Sequence, residues 1–131
     1  MKPVANIFLI DDDKLFLFLT KKTILATKKE VNLKEFSDGN IALEYLRGII
    51  NNNELFPDII FLDISMPIMD GWDFLDEYMK LDSQVVNKPR IYIFSSSISP
   101  HDIERAKSIG VVTDFIVKPL IKDKFIAILE S

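Results

Sequence analysis

Short runs of apolar residues alternate along the chain with longer segments in which apolar residues recur at helical spacing. Turn-forming residues, mainly aspartate, asparagine, glycine and proline, fall between the two kinds of segment. The apolar runs predict five strands, at about 4–11, 31–36, 57–63, 90–95 and 113–117. The periodic segments predict five helices, at about 14–27, 41–50, 72–81, 100–110 and 120–129.

The strict alternation of strands and helices indicates the architecture. It is typical of a parallel sheet with right-handed crossovers and helices on both faces. The second strand carries Asn32, Lys34 and Glu35, which are too polar for burial on both faces, so we expect this strand at a sheet edge. The predicted fold class is therefore α/β, a doubly wound sandwich in which a parallel sheet of five strands lies between two helical layers.

Composition narrows the class of protein. The 131 residues suffice for one domain, and 48% apolar residues suffice to build its core without covalent links. Cysteine is absent, which excludes disulfides, thiolate metal sites and cysteine nucleophiles. The net charge of −4 argues against direct nucleic-acid binding. The longest apolar runs are only of strand length, which argues against a signal peptide or membrane insertion, so we expect a cytoplasmic protein.

Polar and ionisable residues come directly at the ends of four apolar runs. Asp11 and Asp12 follow the first run, Asp63 ends the third, Ser95 ends the fourth and Lys118 follows the fifth. Parallel sheets of this kind bind ligands beyond the carboxyl ends of their strands. A helix cap or a solvated loop would explain one such residue, but four coordinated strand ends predict one shared crevice.

The residue types at these strand ends indicate phosphoryl-transfer chemistry. Three neighbouring carboxylates repel one another, so they require bound protons or a bound cation. Oxygen ligands without nearby sulfur or histidine favour Mg2+, which keeps waters for phosphate oxygens. Lys118 adds a positive charge for a phosphoryl group, and Ser95 adds a hydroxyl. In such a site an aspartate can act as the nucleophile and become an aspartyl phosphate.

Taken together, these residues resemble the receiver domains of two-component response regulators, of the chemotaxis-regulator type. The resemblance covers the whole chain and rests on the segments Ile10–Asp13, Pro57–Gly71, Phe94–Ser95 and Asp114–Pro119. It implies a flavodoxin-like fold with strand order 2-1-3-4-5. It also implies a single receiver domain over residues 1–131, with no output domain.

The resemblance implies a role for each residue at the strand ends. Asp63 would be the phosphoacceptor, and Asp11 and Asp12 would hold Mg2+ together with Asp63 and the backbone carbonyl of Ser65. Lys118 would pair with the phosphoryl group. The remaining implied positions form a switch: the hydroxyl of Ser95, the small residue Ser96 beside it, the aromatic Phe115 and a cis peptide bond between Lys118 and Pro119.

The implied function is that of a phosphoacceptor signalling switch in a phosphorelay. A sensor histidine kinase or a histidine phosphotransfer protein would phosphorylate Asp63. The surface of the fourth helix, fifth strand and fifth helix would then change its affinity for an unknown downstream protein, and a phosphorylation-dependent homodimer stays open. The resemblance implies no enzyme activity beyond self-phosphorylation and self-dephosphorylation.

Two alternatives stay open. A small aspartate-nucleophile phosphatase would use Asp11 as nucleophile and Asp13 as acid, although Leu15 stands where that class expects threonine or valine. A receiver-like module could instead bind partners without phosphorylation. The presence of every key residue favours the phosphoacceptor switch over such a module.

The segment before the last strand departs from the family pattern. Ser99 and Pro100 predict the start of the fourth helix, as a cap followed by proline in the first helical position. Gly110 is typical of a residue that ends a helix. One residue more than usual then separates Gly110 from Phe115, so the sequence does not predict the shape of this loop.

The first helix carries more apolar residues than one buried face requires. Asp13 is interpreted as the acid at the start of this helix rather than as a metal ligand. The predicted buried stripe consists of Phe16, Leu19, Thr23 and Ile24. Leu15, Leu17 and Phe18 are then surplus, and both a partner-binding patch and ordinary burial are open for them.

Other conspicuous residues are assigned ordinary roles. His101 is expected on the surface of the fourth helix, and Trp72 is expected to pack at the start of the third. The basic residues around the last two helices are interpreted as a solvated charged face. These residues are Arg105, Lys107, Lys122 and Lys124.

Overall fold

The structure is a computed structural model that describes residues 4–97 and 99–131. Within these residues five strands alternate with five α-helices, and a short 3-10 helix lies at Asp82–Gln84. The strands are β1 (Ala5–Ile10), β2 (Val31–Phe36), β3 (Ile59–Asp63), β4 (Arg90–Ser95) and β5 (Val112–Val117). The helices are α1 (Lys14–Ala26), α2 (Gly39–Gly48), α3 (Gly71–Met79), α4 (Pro100–Lys107) and α5 (Lys122–Glu130).

The five strands are parallel and form one sheet in the order β2-β1-β3-β4-β5. The predicted α/β class, the flavodoxin-like topology and the strand order are therefore confirmed. β2 lies at an edge, as its polar residues predicted, and Phe36 is its one buried residue. β1 and β3 lie side by side at the point where the strand order reverses, which is where such sheets form a crevice.

Helices cover both faces of the sheet, so the central strands are apolar on both faces. In β1, Phe8 and Ile10 belong to a core that includes α2 and α3, whereas Ile7 and Leu9 belong to a core that includes α1 and α5. All of β3 is buried in the same two-sided way. Because successive side chains of a strand point to opposite faces, one uninterrupted apolar run contributes to two cores at once.

The buried face of α1 differs from the predicted stripe. The buried residues are Phe16, Leu17, Thr20 and Ile24. Leu19 was predicted to be buried but is 49% exposed, and Leu17 was predicted to be surplus but is 6% exposed. Thr20, which lies outside the predicted stripe, is 2% exposed, whereas Thr23 of that stripe is only half-buried, so the helix is rotated relative to the prediction. Leu15 and Phe18 are exposed, as surplus apolar residues on the outer face.

Helix α4 ends earlier than predicted. Its last residue is Lys107, and the backbone N–H of Ser108 donates to the carbonyls of Glu104 and Arg105 at 3.1 and 3.2 Å. Gly110 lies beyond this cap and does not have a positive φ. The prediction that Gly110 ends the helix is therefore wrong, because the helix ends in a right-handed conformation that requires no glycine.

The additional residue before β5 is absorbed within the sheet. Ile91 of β4 pairs with Val112, but the next residue, Tyr92, pairs with Asp114, so the pairing skips Thr113. The Thr113 hydroxyl accepts the backbone N–H of Ile91 at 3.2 Å. This β-bulge restores the register in the rest of β5, whose end reaches the same edge of the sheet as the other strands.

Side-chain caps at the starts of α2 and α4 bear on the predicted bounds of these two helices. Ser99 accepts the backbone N–H of Asp102 at 3.1 Å, which confirms the predicted start of α4. Asp38 caps α2, which therefore begins at Gly39, two residues earlier than predicted. In the part of the chain that the structure describes, no helix has the length and apolar character needed to span a membrane.

Candidate functional site

Four neighbouring strands place polar side chains at one edge of the sheet. Asp11 follows β1, Asp63 ends β3, Ser95 ends β4 and Lys118 follows β5. Because these strands are adjacent and parallel, their carboxyl ends lie side by side. The backbone N–H of Lys118 donates to the Ser95 carbonyl at 2.8 Å, which fixes the two strand ends relative to each other. The residues predicted at the strand ends therefore meet in one crevice.

Three carboxylates meet in this crevice. Asp11 and Asp63 are 2% and 3% exposed, whereas Asp12 is exposed to solvent. One oxygen from each of the three side chains lies within 4.8 Å of the other two. The Asp11 Oδ1 atom accepts the backbone N–H of Asp13 at 2.9 Å, which orients its carboxylate. This donor set fits a hard divalent cation such as Mg2+, which binds a few carboxylates and retains water ligands.

Lys118 brings a positive charge to the carboxylates. Its Nζ atom lies 2.9 Å from Asp11 Oδ2 and 3.2 Å from Asp63 Oδ1, and its side chain is 17% exposed. Burial disfavours the ammonium, but the two carboxylates together outweigh burial and raise the pKa of Lys118 above its ordinary value. Lys118 therefore remains a cation throughout the physiological pH range.

The pKa of Asp63 is raised from its ordinary value of 3.8 to about 6. Burial is the largest cause and repulsion from Asp11 adds to it, while Lys118 and the backbone N–H of Ser65 act in the opposite direction. One ammonium shared by two buried carboxylates does not compensate for the loss of their hydration. A divalent cation in the crevice would favour the ionised form of Asp63, which is the nucleophilic form.

Serines flank the carboxylates on two loops. The buried Ser95 hydroxyl donates to the Ser97 carbonyl at 2.6 Å and accepts the Ser97 backbone N–H at 3.3 Å. Ser96 is exposed beside it. On the loop after β3, the exposed Ser65 donates its backbone N–H to Asp63 Oδ1 at 3.3 Å. A cleft of about 460 Å³ lies between the two loops and is lined in part by Ser65, Ser95 and Ser97.

The other predicted switch positions lie on β5 and directly after it. Phe115 is half-buried and packs against the core under α2 and α3. It also lines a groove of about 310 Å³ between α4 and β5, so it connects the interior to that surface. The peptide bond between Lys118 and Pro119 is cis, the isomer that the resemblance implied.

Gly71 lets α3 begin directly against the end of β3. A Cβ atom at this position would lie 2.8 Å from the carbonyl oxygen of Asp63 and 2.8 Å from the Cα of Ile64. Asp70 and Asp73 form a reciprocal capping box around the first turn of the helix. A side chain at position 71 would therefore displace the backbone that carries Asp63.

Three residues have the ordinary roles that the sequence predicted. Asp13 lies outside the group of three carboxylates that could hold a metal ion, and its Oδ1 atom accepts the backbone N–H groups of Leu15 and Phe16 at 3.0 and 3.1 Å, as the cap of α1. Trp72 is 7% exposed at the start of α3. His101 is exposed in the first turn of α4.

The basic residues around α4 and α5 are only partly a solvated face. The Arg105 guanidinium lies 4.4 Å from the ring centroid of Trp72, a cation–π contact between α4 and the start of α3. Lys124 lies 3.8 Å from Asp114, and both side chains are well exposed. The other two, Lys107 and Lys122, are exposed as predicted.

One neighbour of the site, Phe16, was not predicted from the sequence. Phe16 was predicted only as a core residue, but the centroid of its ring lies 4.0 Å from Lys118 Nζ. Its position three residues after the cap Asp13 could have indicated that Phe16 lies near the crevice. The first turn of a helix that follows a strand end starts at the same edge of the sheet as the ligand crevice.

The chain belongs to the response regulator receiver domain family, which it matches over residues 7–130. It is 33% identical over 111 residues to the chemotaxis protein CheY of Thermotoga maritima, a match that covers 85% of this chain and 83% of that protein. It is also similar to the crystal structure of a two-component response regulator from Cytophaga hutchinsonii, with a TM-score of 0.88 and 27% identity over 98% of this chain and 96% of that one. The family that the residues resembled is thus confirmed.

Other relatives are much longer than this chain. It is 32% identical over 119 residues to a protein-glutamate methylesterase/protein-glutamine glutaminase of Albidiferax ferrireducens. That match covers 88% of this chain but 28% of the relative. The chain therefore spans less than a third of the length of that relative, and the enzyme activity in its name is a property of that protein.

Proposed function

We propose that this chain is the phosphoacceptor switch of a two-component phosphorelay, in which Asp63 accepts a phosphoryl group. The position of Asp63 carries the proposal, because its buried carboxylate lies 3.2 Å from the Lys118 ammonium and belongs to a group of three carboxylates. A nucleophile beside both a fixed cation and a metal-binding group suits phosphoryl transfer, where catalysis consists mainly of positioning and charge neutralisation.

In the proposed step, an ionised carboxylate oxygen of Asp63 attacks the phosphorus atom of a phosphohistidine on a sensor kinase or phosphotransfer protein. The O–P bond forms as the P–N bond breaks, and the electron pair of the broken bond leaves on the imidazole nitrogen. Lys118 already contacts Asp63 Oδ1, so its ammonium is placed to pair with a phosphoryl oxygen. Later attack of water on phosphorus releases inorganic phosphate and returns the carboxylate.

Asp11, Asp12 and Asp63, with the backbone carbonyl of Ser65, are proposed to hold Mg2+. The supporting observation is that one oxygen from each of the three carboxylates lies within 4.8 Å of the others. When bound there, Mg2+ would neutralise charge on the transferred group. Asp12 is the exposed member of the set, so it can exchange water for the cation without a change in the core.

The proposed switch connects the phosphoryl group to the surface between α4 and β5. The Ser95 hydroxyl would exchange its hydrogen bond to the Ser97 carbonyl for one to a phosphoryl oxygen. The side chain of Ser96 is small and would not block access to the phosphoryl group. Phe115 lines the groove between α4 and β5, so a change in its position would alter this surface. Because Phe115 has no hydroxyl, its response would be steric. The surface of α4, β5 and α5 would carry the signal to a partner protein.

The alternative of a phosphatase has less support in the geometry. That mechanism requires Asp13 as a free acid, but Asp13 Oδ1 already accepts two backbone N–H groups of α1. Asp63, in contrast, does not cap a helix, and its Oδ1 atom lies 3.2 Å from the Lys118 ammonium.

Incubation with Mg2+ and acetyl phosphate tests the proposal, with intact-protein mass spectrometry as the measurement. The wild type should gain one phosphoryl group in an acid-stable, base-labile linkage, as expected for an acyl phosphate. Asp63→Asn should gain none. Asp76→Asn, which changes an exposed carboxylate on α3, is the matched control and should be phosphorylated like the wild type.

Other outcomes would favour the alternatives. Hydrolysis of phosphate esters that survives in Asp63→Asn but is lost in Asp11→Asn would support the phosphatase. A wild type that shows neither an adduct nor a response to Mg2+ would support a module that binds partners without phosphorylation. An adduct of equal yield in the wild type and in Asp63→Asn would place the acceptor elsewhere.

A further inference from the structure

The ammonium of Lys118 contacts two carboxylates and one aromatic ring in the crevice. Two of these contacts are ionic, at 2.9 Å to Asp11 Oδ2 and 3.2 Å to Asp63 Oδ1. The third is with the aromatic ring of Phe16, whose centroid lies 4.0 Å from Nζ. This is well within the range of cation–π attraction, and the attraction is larger where the cation is shielded from water, as it is for a side chain that is 17% exposed.

The ring of Phe16 is itself held in place. The backbone N–H of Phe16 donates to Asp13 Oδ1, so the residue lies in the capped first turn of α1. Its ring packs edge-on against Phe94 at a centroid distance of 5.5 Å and an interplanar angle of 82°. Phe94 in turn stacks on Phe61 at 5.0 Å and 9°. The aromatic face that meets Lys118 is therefore fixed by the core on one side and by the helix cap on the other.

We propose that Phe16 is a positioning residue for phosphoryl transfer, whose ring holds the Lys118 ammonium in the crevice when Asp11 and Asp63 are engaged by other groups. This inference rests on the proposed function. During transfer, Asp63 forms a bond to phosphorus and Asp11 takes part in metal binding, so both ionic contacts of Lys118 weaken. The contact with Phe16 is independent of the charge on either carboxylate.

The chemistry of the contact explains why an aromatic residue suits this position. A further carboxylate would hold the ammonium but would add negative charge to a site that already contains three acids. An aliphatic side chain would fill the same space without attracting a cation. The negative face of an aromatic ring attracts the ammonium while leaving the net charge of the site unchanged.

Stepwise fluorination of the ring provides the test, since fluorine weakens the negative face of phenylalanine with little change in shape. Mono-, di- and trifluorophenylalanine are introduced at position 16, and the rate of phosphorylation by acetyl phosphate with saturating Mg2+ is measured. The logarithm of the rate should fall with each added fluorine, and Phe16→Leu should be about three- to thirty-fold slower than the wild type. Phe125, fully buried in the same core against Phe61, is the matched control, and fluorination there should leave the rate unchanged.

A spectroscopic measurement tests the contact without any phosphorylation. The ε-methylene protons of Lys118 should resonate upfield in the wild type, because the Nζ atom bonded to this methylene lies 4.0 Å from the centroid of the Phe16 ring, and should return towards ordinary values in Phe16→Leu. The positioning role of Phe16 would be overturned if fluorination at position 16 left the phosphorylation rate unchanged, or if fluorination at position 125 lowered the rate equally. Ordinary chemical shifts of the Lys118 ε-methylene protons in the wild type would also overturn it. A wild type that forms no adduct but shows the upfield shift would instead contradict the proposed function, and the positioning role with it.

Discussion

Polar side chains lie at both ends of the central strands, but at the amino ends their hydrogen bonds are completed within the fold. The Asn6 side chain donates to two backbone carbonyls of the loop before β3, at 2.6 and 3.2 Å, and its backbone N–H donates to Asp58 Oδ2 at 2.7 Å. Arg90 donates to the carbonyl of Ile128 at the end of α5, at 2.6 Å. These polar groups join loops and helix ends to the sheet.

At the carboxyl ends the charges are not balanced in this way. Two buried carboxylates, Asp11 and Asp63, share the single ammonium of Lys118, and the pKa of Asp63 is raised to about 6 as a result of burial and repulsion. The buried polar groups at the two ends therefore differ in whether the fold satisfies them. Completed hydrogen bonds indicate a structural role, whereas an excess of buried negative charge indicates a site that binds a cation or a proton.

Lys118→Met should have the largest effect on stability, because it leaves two buried carboxylates without a cation. We expect the free energy of unfolding at pH 7 to fall by about 3 kcal/mol, as for one partner removed from a buried ion pair. Urea unfolding measures the change. Lys124→Met removes an exposed ion pair with Asp114 and is the control, with an expected loss below about 1 kcal/mol. Equal losses in the two variants would show that the two buried carboxylates do not depend on the Lys118 ammonium.

Asp63→Asn should raise stability at neutral pH. Because the pKa of Asp63 in the folded protein is raised from 3.8 to about 6, its favourable contribution is fully present below pH 4 and is lost as the pH rises to about 6. The variant should therefore be more stable than the wild type by about 2 kcal/mol at pH 7.5, and equally stable near pH 4. Urea unfolding across this pH range is the measurement. A difference that does not change with pH would show that Asp63 titrates normally.

Asn6→Ala should reduce stability at the opposite end of the sheet without affecting phosphorylation. It removes the hydrogen bonds that the Asn6 side chain donates to the carbonyls of Glu54 and Phe56, so we expect a loss of about 2 kcal/mol in the free energy of unfolding. Phosphorylation by acetyl phosphate should keep its wild-type rate when measured well below the unfolding temperature. A slower reaction in a fully folded variant would show that the two ends are coupled.

Mg2+ should have the smallest of these effects. At ten times its dissociation constant at pH 7.5, it should raise the free energy of unfolding by about 1.4 kcal/mol, since it binds only the folded site. Asp12→Asn, which changes an exposed member of the carboxylate group, should reduce this gain, and Asp76→Asn should retain it. A gain of equal size in Asp12→Asn would locate the bound cation outside the crevice.

Much of the site was predictable because the relevant signals are local. Asp63 directly follows a buried apolar run, and parallel strands bring such ends together regardless of their distance in sequence. The rotation of α1 was not predictable in the same way. Leu17 and Leu19 are both apolar and lie on nearly opposite sides of a helix, so the pattern accommodated either face. The structure buries Leu17 on the same face as Thr20 and leaves Leu19 exposed, a choice that depends on the packing of α1 against the sheet.

By itself, the sequence determined the α/β class, the edge position of β2 and the set of strand-end residues, because these follow from the apolar runs and their polar ends. Tertiary structure alone decided the bulge at Thr113, the contact of Phe16 with Lys118 and the raised pKa of Asp63. Each of these depends on which groups surround a residue in space. Strand register, ring contacts and desolvation arise from packing between segments that are distant in the sequence, so no local sequence pattern predicts them.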